Sequence, residues 1–349
     1  MQLDERTAAR ARLPEEAVLG LSSQEVRLTN GQYSVSLSAV GSGGSTCLDF
    51  DVSRHVPDPV CDCDGFHLFL RDLDDHFTWS AAYQPTRVMP ESYEFQFTES
   101  AAEIARQDRD IECRLTVCVA ADRDVELRRC RLTNRGSRPR RIELTSYVEF
   151  ALANHDADIN HPTFSKLFVE TEIRPAARAI VARRRPRGAD EVEQLAFLRL
   201  LTGDAQAGDL QYETNRKRFV GRGRSVGRPA ALDPRAQLTG DEGAVLDPIG
   251  SIRTVIALAA GESRDVVFVL GAAVGREAID ALMAEFDDVE VAQEILAAVE
   301  IGDASGNGDA TRWISHPPHD RLESRMQQTV SRHEYLPAAE VVTESARTT

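Results

Sequence analysis

Ile142-Glu143-Leu144-Thr145-Ser146-Tyr147-Val148-Glu149-Phe150 alternates along its whole length. Ile142, Leu144, Ser146, Val148 and Phe150 share one face of an extended chain, and Glu143, Thr145, Tyr147 and Glu149 share the other. A period of two with one apolar and one polar face predicts a half-buried β-strand. The pattern recurs upstream. Serine alternates with apolar residues through Ser34-Val35-Ser36-Leu37-Ser38-Ala39-Val40, just after the hairpin signal Asn30-Gly31. Tyr93, Phe95 and Phe97 alternate with Glu94, Gln96 and Thr98, and Ile111, Cys113, Leu115, Val117 and Val119 repeat the theme. Turn residues separate these runs at Asp122-Arg123-Asp124, Asn134-Arg135-Gly136 and Gly261-Glu262. Further strands are expected at 164–173, 178–184, 194–201, 209–216, 249–258 and 263–271, with an extended surface loop over 221–248. The continuous Val/Ile runs and intervening helices of a parallel α/β sheet do not occur. The fold class is therefore all-β, a large antiparallel sandwich of two sheets.

The period changes to helical after Arg276. Ile279, Leu282, Met283 and Phe286 fit one apolar face, and Val291, Ile295, Leu296 and Val299 fit the next. This gives a leader or linker at 1–23, a β-sandwich at 24–273, a linker helix at 274–300 and a tail at 301–349 without stable order.

The 349 residues carry 42% hydrophobic residues, enough for a sizeable core, and a formal net charge of -15. That charge opposes binding to nucleic acid or anionic lipid, whose phosphates the long-range field repels. The arginines at 183, 184, 185 and 187 and the basic run 216–224 read as solvated loops and strand ends. No run of eighteen apolar residues occurs, so no membrane span is expected. The opening Met1-Gln2-Leu3-Asp4-Glu5-Arg6 lacks the apolar stretch of a secretory signal, which predicts a cytoplasmic protein with six reduced cysteines. Cys61-Asp62-Cys63 without a second pair reads as two loop thiols. Asp72, Asp74 and Asp75 read as turn residues, and His155 to His161 as a loop without the spacing that focuses metal ligands. Cys47 has no histidine placed beside it by the sequence. No metal or cofactor is expected.

Several stretches resemble one family. They are Leu28-Thr29-Asn30-Gly31-Gln32-Tyr33-Ser34-Val35 with Gly41-Ser42-Gly43, then Phe69-Leu70-Arg71-Asp72, Trp79-Ser80-Ala81-Ala82-Tyr83-Gln84-Pro85 and Pro90-Glu91-Ser92-Tyr93-Glu94-Phe95. In order there follow Ile142-Glu143-Leu144-Thr145-Ser146-Tyr147, His161-Pro162-Thr163-Phe164-Ser165-Lys166-Leu167-Phe168-Val169, Gln211-Tyr212-Glu213-Thr214-Asn215-Arg216, Arg218 to Arg224, and Val245-Leu246-Asp247-Pro248-Ile249. As a set they resemble the N-terminal β-sandwich of glycoside hydrolase family 94, formerly glycosyltransferase family 36, most of all the modules of cyclic β-1,2-glucan synthases.

The resemblance implies a super-sandwich of the galactose-mutarotase-like type, linker helices, and then an (α/α)6 barrel. In the family the barrel holds the general acid and the phosphate that attacks the anomeric carbon, releasing a sugar 1-phosphate. About 50 residues after Glu300 do not accommodate such a barrel, so the chain reads as a truncated, detached front domain with no catalytic residue carried over. Its expected role is a non-catalytic carbohydrate-binding and scaffold domain in β-glucan metabolism. The alternatives are one subunit of a split phosphorylase whose barrel is encoded separately, and a mutarotase-like sugar epimerase, which needs a His/Glu pair in an open cleft. The family-like motifs place His161, Phe164, Lys166, Tyr212, Glu213, Arg216, Phe219 and Arg222 as candidate carbohydrate contacts. Expected partners are a β-glucan or oligosaccharide, a separate barrel chain, and a second copy of this chain. The chain departs from the family at Gly44-Ser45-Thr46-Cys47-Leu48-Asp49, where aromatic residues are usual, and near Asp64-Gly65, where a tryptophan is missing. Both remove surfaces that would stack on sugar.

Overall fold

A computed structural model describes residues 24–299, apart from 59, 189–190, 204–205 and 288, together with the backbone of 312–315. The expected leader and most of the expected tail lie outside the described residues. In chain order the strands are β1 (Glu25–Thr29), β2 (Tyr33–Ser38), β3 (Gly43–Cys47), β4 (Phe50–Ser53), β5 (His67–Asp72), β6 (Phe77–Ser80), β7 (Ser92–Phe97), β8 (Ala101–Asp108) and β9 (Ile111–Val119). They continue as β10 (Val125–Asn134), β11 (Arg140–Ala153), β12 (Val169–Arg174), β13 (Ala179–Arg184), β14 (Gln194–Leu201), β15 (Gln211–Asn215), β16 (Pro248–Leu258), β17 (Ser263–Val274) and β18 (Arg312–Ser315). Helices are α1 (His155–Asn160), α2 (Pro162–Lys166), α3 (Arg216–Val220), α4 (Arg276–Ala284) and α5 (Val289–Ala298).

Two 9-stranded antiparallel sheets result, as the alternation predicts. The first runs β1-β2-β3-β4-β11-β16-β15, with β5 and β6 joined to it beside β11; the second runs β12-β13-β14-β17-β10-β9-β8-β7-β18. The stretch Ile142 to Phe150 lies in β11, which pairs with β16 over residues 140–149, with β5 over 142–147, and with β4 at Phe150 and Ala153. Its apolar face enters the layer between the sheets. Ile142, Leu144, Val148 and Phe150 meet Leu68 and Leu70 of β5 there, together with Ile104, Leu115, Leu198, Phe268 and Leu270 of the second sheet. Each such side chain removed from water stabilises the fold by about 1.5–3 kcal/mol.

The two other faces are covered at least in part, each by a different device. On the far side of the second sheet, Ile279, Met283, Phe286, Ala292 and Leu296 of the α4–α5 segment bury Val125, Leu127, Phe197, Val267 and Val269. On the far side of the first sheet, Phe219, Val220, Val226, Ala231 and Leu232 pack on Phe69, Tyr147 and Ile249. That second cover corrects the reading of 221–248 as an extended surface loop. Its apolar residues are too sparse to show a period, yet Val226, Ala231 and Leu232 are buried. Two further expectations are corrected locally. The strand expected from 164 begins at Val169, because Pro162 opens a helical turn at α2. The loop expected at 155 is helix α1, capped by Asn154, whose side chain accepts the Asp156 N–H.

The glycine pair of the family-like opening has a steric reason. Gly43 sits at φ +141, and a Cβ there would collide with the Ser36 carbonyl across the β2–β3 hairpin.

Candidate functional site

The far face of the first sheet divides into a covered half and an open half. Alternation puts Glu143, Thr145, Tyr147 and Glu149 of β11 on this face, beside His67, Phe69 and Arg71 of β5 and Arg253 of β16. Backbone carbonyls of the covering segment lack a ladder of their own, and buried carbonyls need donors. Arginines supply them. Arg71 donates to the Asp233 carbonyl at 2.6 Å and the Leu232 carbonyl at 3.1 Å, and pairs with Glu143 at 2.7 Å. Arg253 donates to the carbonyls of Ala236 at 2.9 Å and Ala231 at 2.5 Å. The Phe219 ring lies 4.9 Å from that of Tyr147 and 6.0 Å from that of Phe69.

At the edge of this cover stands Glu149. Its carboxylate accepts from Arg216 Nε at 2.6 Å, from the Tyr147 hydroxyl at 2.6 Å and from Arg54 Nη1 at 3.2 Å. Lys166 Nζ is 3.8 Å away. The same cations reach two more acids. Arg54 forms a bidentate pair with Asp158 of α1 at 2.8 and 2.9 Å, and Lys166 and Arg216 meet Asp247 at 2.7 and 3.5 Å. Three cations thus face three carboxylates, in a mesh that ties α1, α2, α3 and the approach to β16 onto one strand. Burial pushes the Glu149 carboxyl up, but the Arg216 and Lys166 charges and the Tyr147 hydroxyl outweigh it and hold the group at about 2. Such a carboxylate stays ionised at neutral pH and has no proton to give. His67, stacked near Tyr147 at 6.5 Å, donates through Nε2 to the Cys63 carbonyl at 2.8 Å; burial pulls it down to about 4, so the ring is neutral.

The candidate residues separate into three groups. Lys166 and Arg216 converge on Glu149, as described. Glu213 is buried and accepts the N–H groups of Thr214, Asn215 and Thr239 at 3.1, 2.9 and 3.2 Å, and Phe219 is fully buried against Tyr147, so both serve the cover. Tyr212 turns the other way, into the layer between the sheets. His161, Phe164 and Arg222 remain on the surface, with Phe164 54% exposed between Ile159 and Leu167, themselves 41% and 43% exposed. Tyr147, Glu149, Arg54 and Asp158 were not among the candidates. The available signal was Tyr147-x-Glu149 on the polar face of a long strand.

The open half of the face lies over β1 to β4. A cleft of about 320 Å³ is lined there by Arg27, Ser34, Ser36, Gly44, Ser45, Thr46, Asp51, Ser53, His55 and His155. Small hydroxyl side chains dominate it. On one wall His155 Nδ1 is 2.7 Å from Asp51 Oδ2. Burial raises the Asp51 carboxyl despite this imidazole, and the Asp51 hydrogen bond raises His155. The arrangement offers donors and acceptors to a polyhydroxylated ligand, without an aromatic platform. Among the described residues no group of three or more His, Cys, Asp or Glu side chains is placed to hold a metal ion, and no helix is long and apolar enough to cross a membrane.

Comparison with known proteins matches these features to one family. The profile described as "Glycosyl hydrolase 94, supersandwich domain" covers residues 25–289. The cyclic β-(1,2)-glucan synthase NdvB of Rhizobium meliloti (strain 1021) is 40% identical over 258 residues, which is 74% of this chain and 9% of that protein. The 3-O-β-D-glucopyranosyl-β-D-glucuronide phosphorylase of Paenibacillus borealis is 26% identical over 261 residues, 74% of this chain and 32% of that protein. The chain thus spans about a tenth and about a third of these two relatives. Among solved structures, a bacterial glucoamylase complexed with acarbose aligns at 11% identity and a TM-score of 0.46, over 78% of this chain and 36% of that one. With its two nine-stranded sheets and the helices that close the second of them, this chain belongs to the family of glycosyl hydrolase 94 supersandwich domains.

Proposed function

We propose that this supersandwich is a non-catalytic, carbohydrate-contacting scaffold domain of β-glucan metabolism. It holds a glucan or oligosaccharide while residues elsewhere break or form the glycosidic bond. The observation that carries this reading is the state of Glu149. The polar centre that gathers the helices and the covering segment is a carboxylate held by Arg216, Arg54, Lys166 and Tyr147, an anchor for the surrounding segments and not a proton donor. His67, neutral and bonded to a backbone carbonyl, supplies no exchangeable partner for an epimerase pair. The hydroxyl-lined cleft over β1 to β4 is the surface assigned to the glycan, for its donors and acceptors suit sugar hydroxyls. Titration calorimetry with β-1,2-linked gluco-oligosaccharides tests the reading. Binding heat that disappears when the cleft is altered supports it; absence of heat at millimolar ligand removes the carbohydrate-contacting part.

A second reading has its own observation. Ile159, Phe164, Leu167 and Leu246 are exposed apolar residues beside the Glu149 mesh. They suit the docking of a separately encoded catalytic barrel chain, in which case this domain is the scaffold subunit of a split phosphorylase. Co-purification of such a chain, lost on Phe164→Asp, distinguishes that assembly from a free-standing module.

A further inference from the structure

Cys61 and Cys63 belong to neither the Glu149 mesh nor the open cleft. Asp62 between them sits at φ +41, a left-handed conformation that turns the two flanking side chains toward each other. Their sulfurs are 3.3 Å apart. The tripeptide is pinned at every residue. The Cys61 carbonyl accepts from Gln84 Nε2 at 3.0 Å and Arg87 Nη2 at 2.5 Å, the Asp62 carboxylate accepts from the Ser42 hydroxyl at 2.6 Å, and the Cys63 carbonyl accepts from His67 at 2.8 Å. The juxtaposition is therefore held by contacts to three other parts of the chain. Cys61 is exposed and Cys63 partly so, whereas Cys47, Cys113, Cys118 and Cys130 are buried. Arg87 Nη2 lies 3.8 Å from Cys61 Sγ and faces it with a cation.

Cys113 and Cys130, on neighbouring strands β9 and β10, also bring their sulfurs to 3.5 Å, but both are buried. Proximity is shared by the two pairs; access to a reagent is not. Thiol oxidation needs both.

We propose that Cys61 and Cys63 form a reversible dithiol–disulfide site that takes a small soluble disulfide as its oxidant. The exposed Cys61 thiolate attacks one sulfur of the disulfide. Its S–S bond breaks, one thiol leaves with a proton from solvent, and a mixed disulfide forms on Cys61. Cys63 then gives up its proton to solvent and attacks the Cys61 sulfur, expelling the second thiol. The protein loses two protons and two electrons, and one disulfide is reduced to two thiols. Burial, with Cys61 beside it, pushes the Cys63 thiol up to about 12, which suits the resolving role and not the first attack. Closing the bond draws the sulfurs from 3.3 Å to about 2.05 Å within a ring one residue longer than a vicinal pair. A bond so constrained and exposed is readily reduced again.

The test uses the full chain with oxidised glutathione as the probe, followed by alkylation and peptide mass mapping. The expected product is a peptide holding both Cys61 and Cys63 that is lighter by two hydrogens, while Cys47, Cys113, Cys118 and Cys130 alkylate as before. Dithiothreitol restores both thiols. Cys63→Ser is expected to retain one glutathione on Cys61, because the resolving sulfur is gone. Closure of the exposed pair should outpace that of Cys113 and Cys130 at least tenfold. Glutathione that stays on wild-type Cys61 without closure, oxidation of Cys113 with Cys130 first, or no modification at all would each overturn the proposal.

Discussion

Glu149→Gln keeps the shape of the side chain and removes its charge. In the native protein Arg216, Lys166 and Tyr147 overcome burial and hold this carboxyl at about 2, against an ordinary value of 4.5. A depression of that size corresponds to roughly 3 kcal/mol of stability at neutral pH. The amide retains some hydrogen bonding but leaves Asp247 as the remaining ionic partner of Lys166 and Arg216, so a loss of about 3 kcal/mol is expected near pH 7. Because the folded value is depressed, the wild-type contribution is fully present above 4.5 and is lost as the pH falls through about 2. Urea unfolding followed by far-ultraviolet circular dichroism reads this without adding screening ions. The gap between wild type and variant should be about 3 kcal/mol near pH 7 and should close steadily between pH 4.5 and 2. A variant as stable as wild type near pH 7, or a gap that persists unchanged to pH 2, would refute the idea that charge pairing fastens the surrounding segments to β11.

His67 titrates in a different window. Its folded value near 4 lies below the ordinary 6.5, so wild-type stability should fall by roughly 3 kcal/mol as the pH drops from 6.5 to 4, and His67→Gln should flatten that slope in the same unfolding assay. Phe219→Ala removes the ring that seats the covering segment on Tyr147 and Phe69, and should cost about 3–5 kcal/mol. Limited proteolysis should then cut first within 221–247 in the variant and not in wild type. Arg27 lines the open cleft from an exposed position, and Arg27→Ala should weaken oligosaccharide binding by about tenfold, or roughly 1.4 kcal/mol, with the urea midpoint unchanged. Equal affinities in calorimetry would move the glycan surface elsewhere.

The fold was legible because strand faces differ so sharply. Ile142 to Phe150 sorts into apolar and polar sets with only Ser146 and Tyr147 out of type; the first set fills the layer between the sheets, while Glu143, Thr145 and Tyr147 of the second are buried on the opposite face. Glu149 was hidden by the same rule, since an acid on a polar face reads as solvated. Its partners come from positions 54, 166 and 216, and no local spacing announces that they meet. Lys166 and Arg216 were found through family-like motifs, which located them without saying that their task is to hold a carboxylate. The cover over Tyr147 was missed because its burial rests on Arg71 and Arg253 reaching backbone carbonyls from two distant strands. Periodicity carries no trace of that. At 162–167 the aromatic and aliphatic residues Phe164 and Leu167 imitated a strand, and Pro162 at the first helical position was the stronger local signal.

The proposed role requires this domain to present sugar without cutting it. The most direct measurement incubates the purified chain with a β-1,2-linked gluco-oligosaccharide and inorganic phosphate and follows glucose 1-phosphate over time. The expected result is no sugar phosphate above the protein-free control, in the same sample that gives binding heat. Glucose 1-phosphate accumulating in proportion to the chain would contradict it, and would place a working acid among residues assigned here to holding the structure.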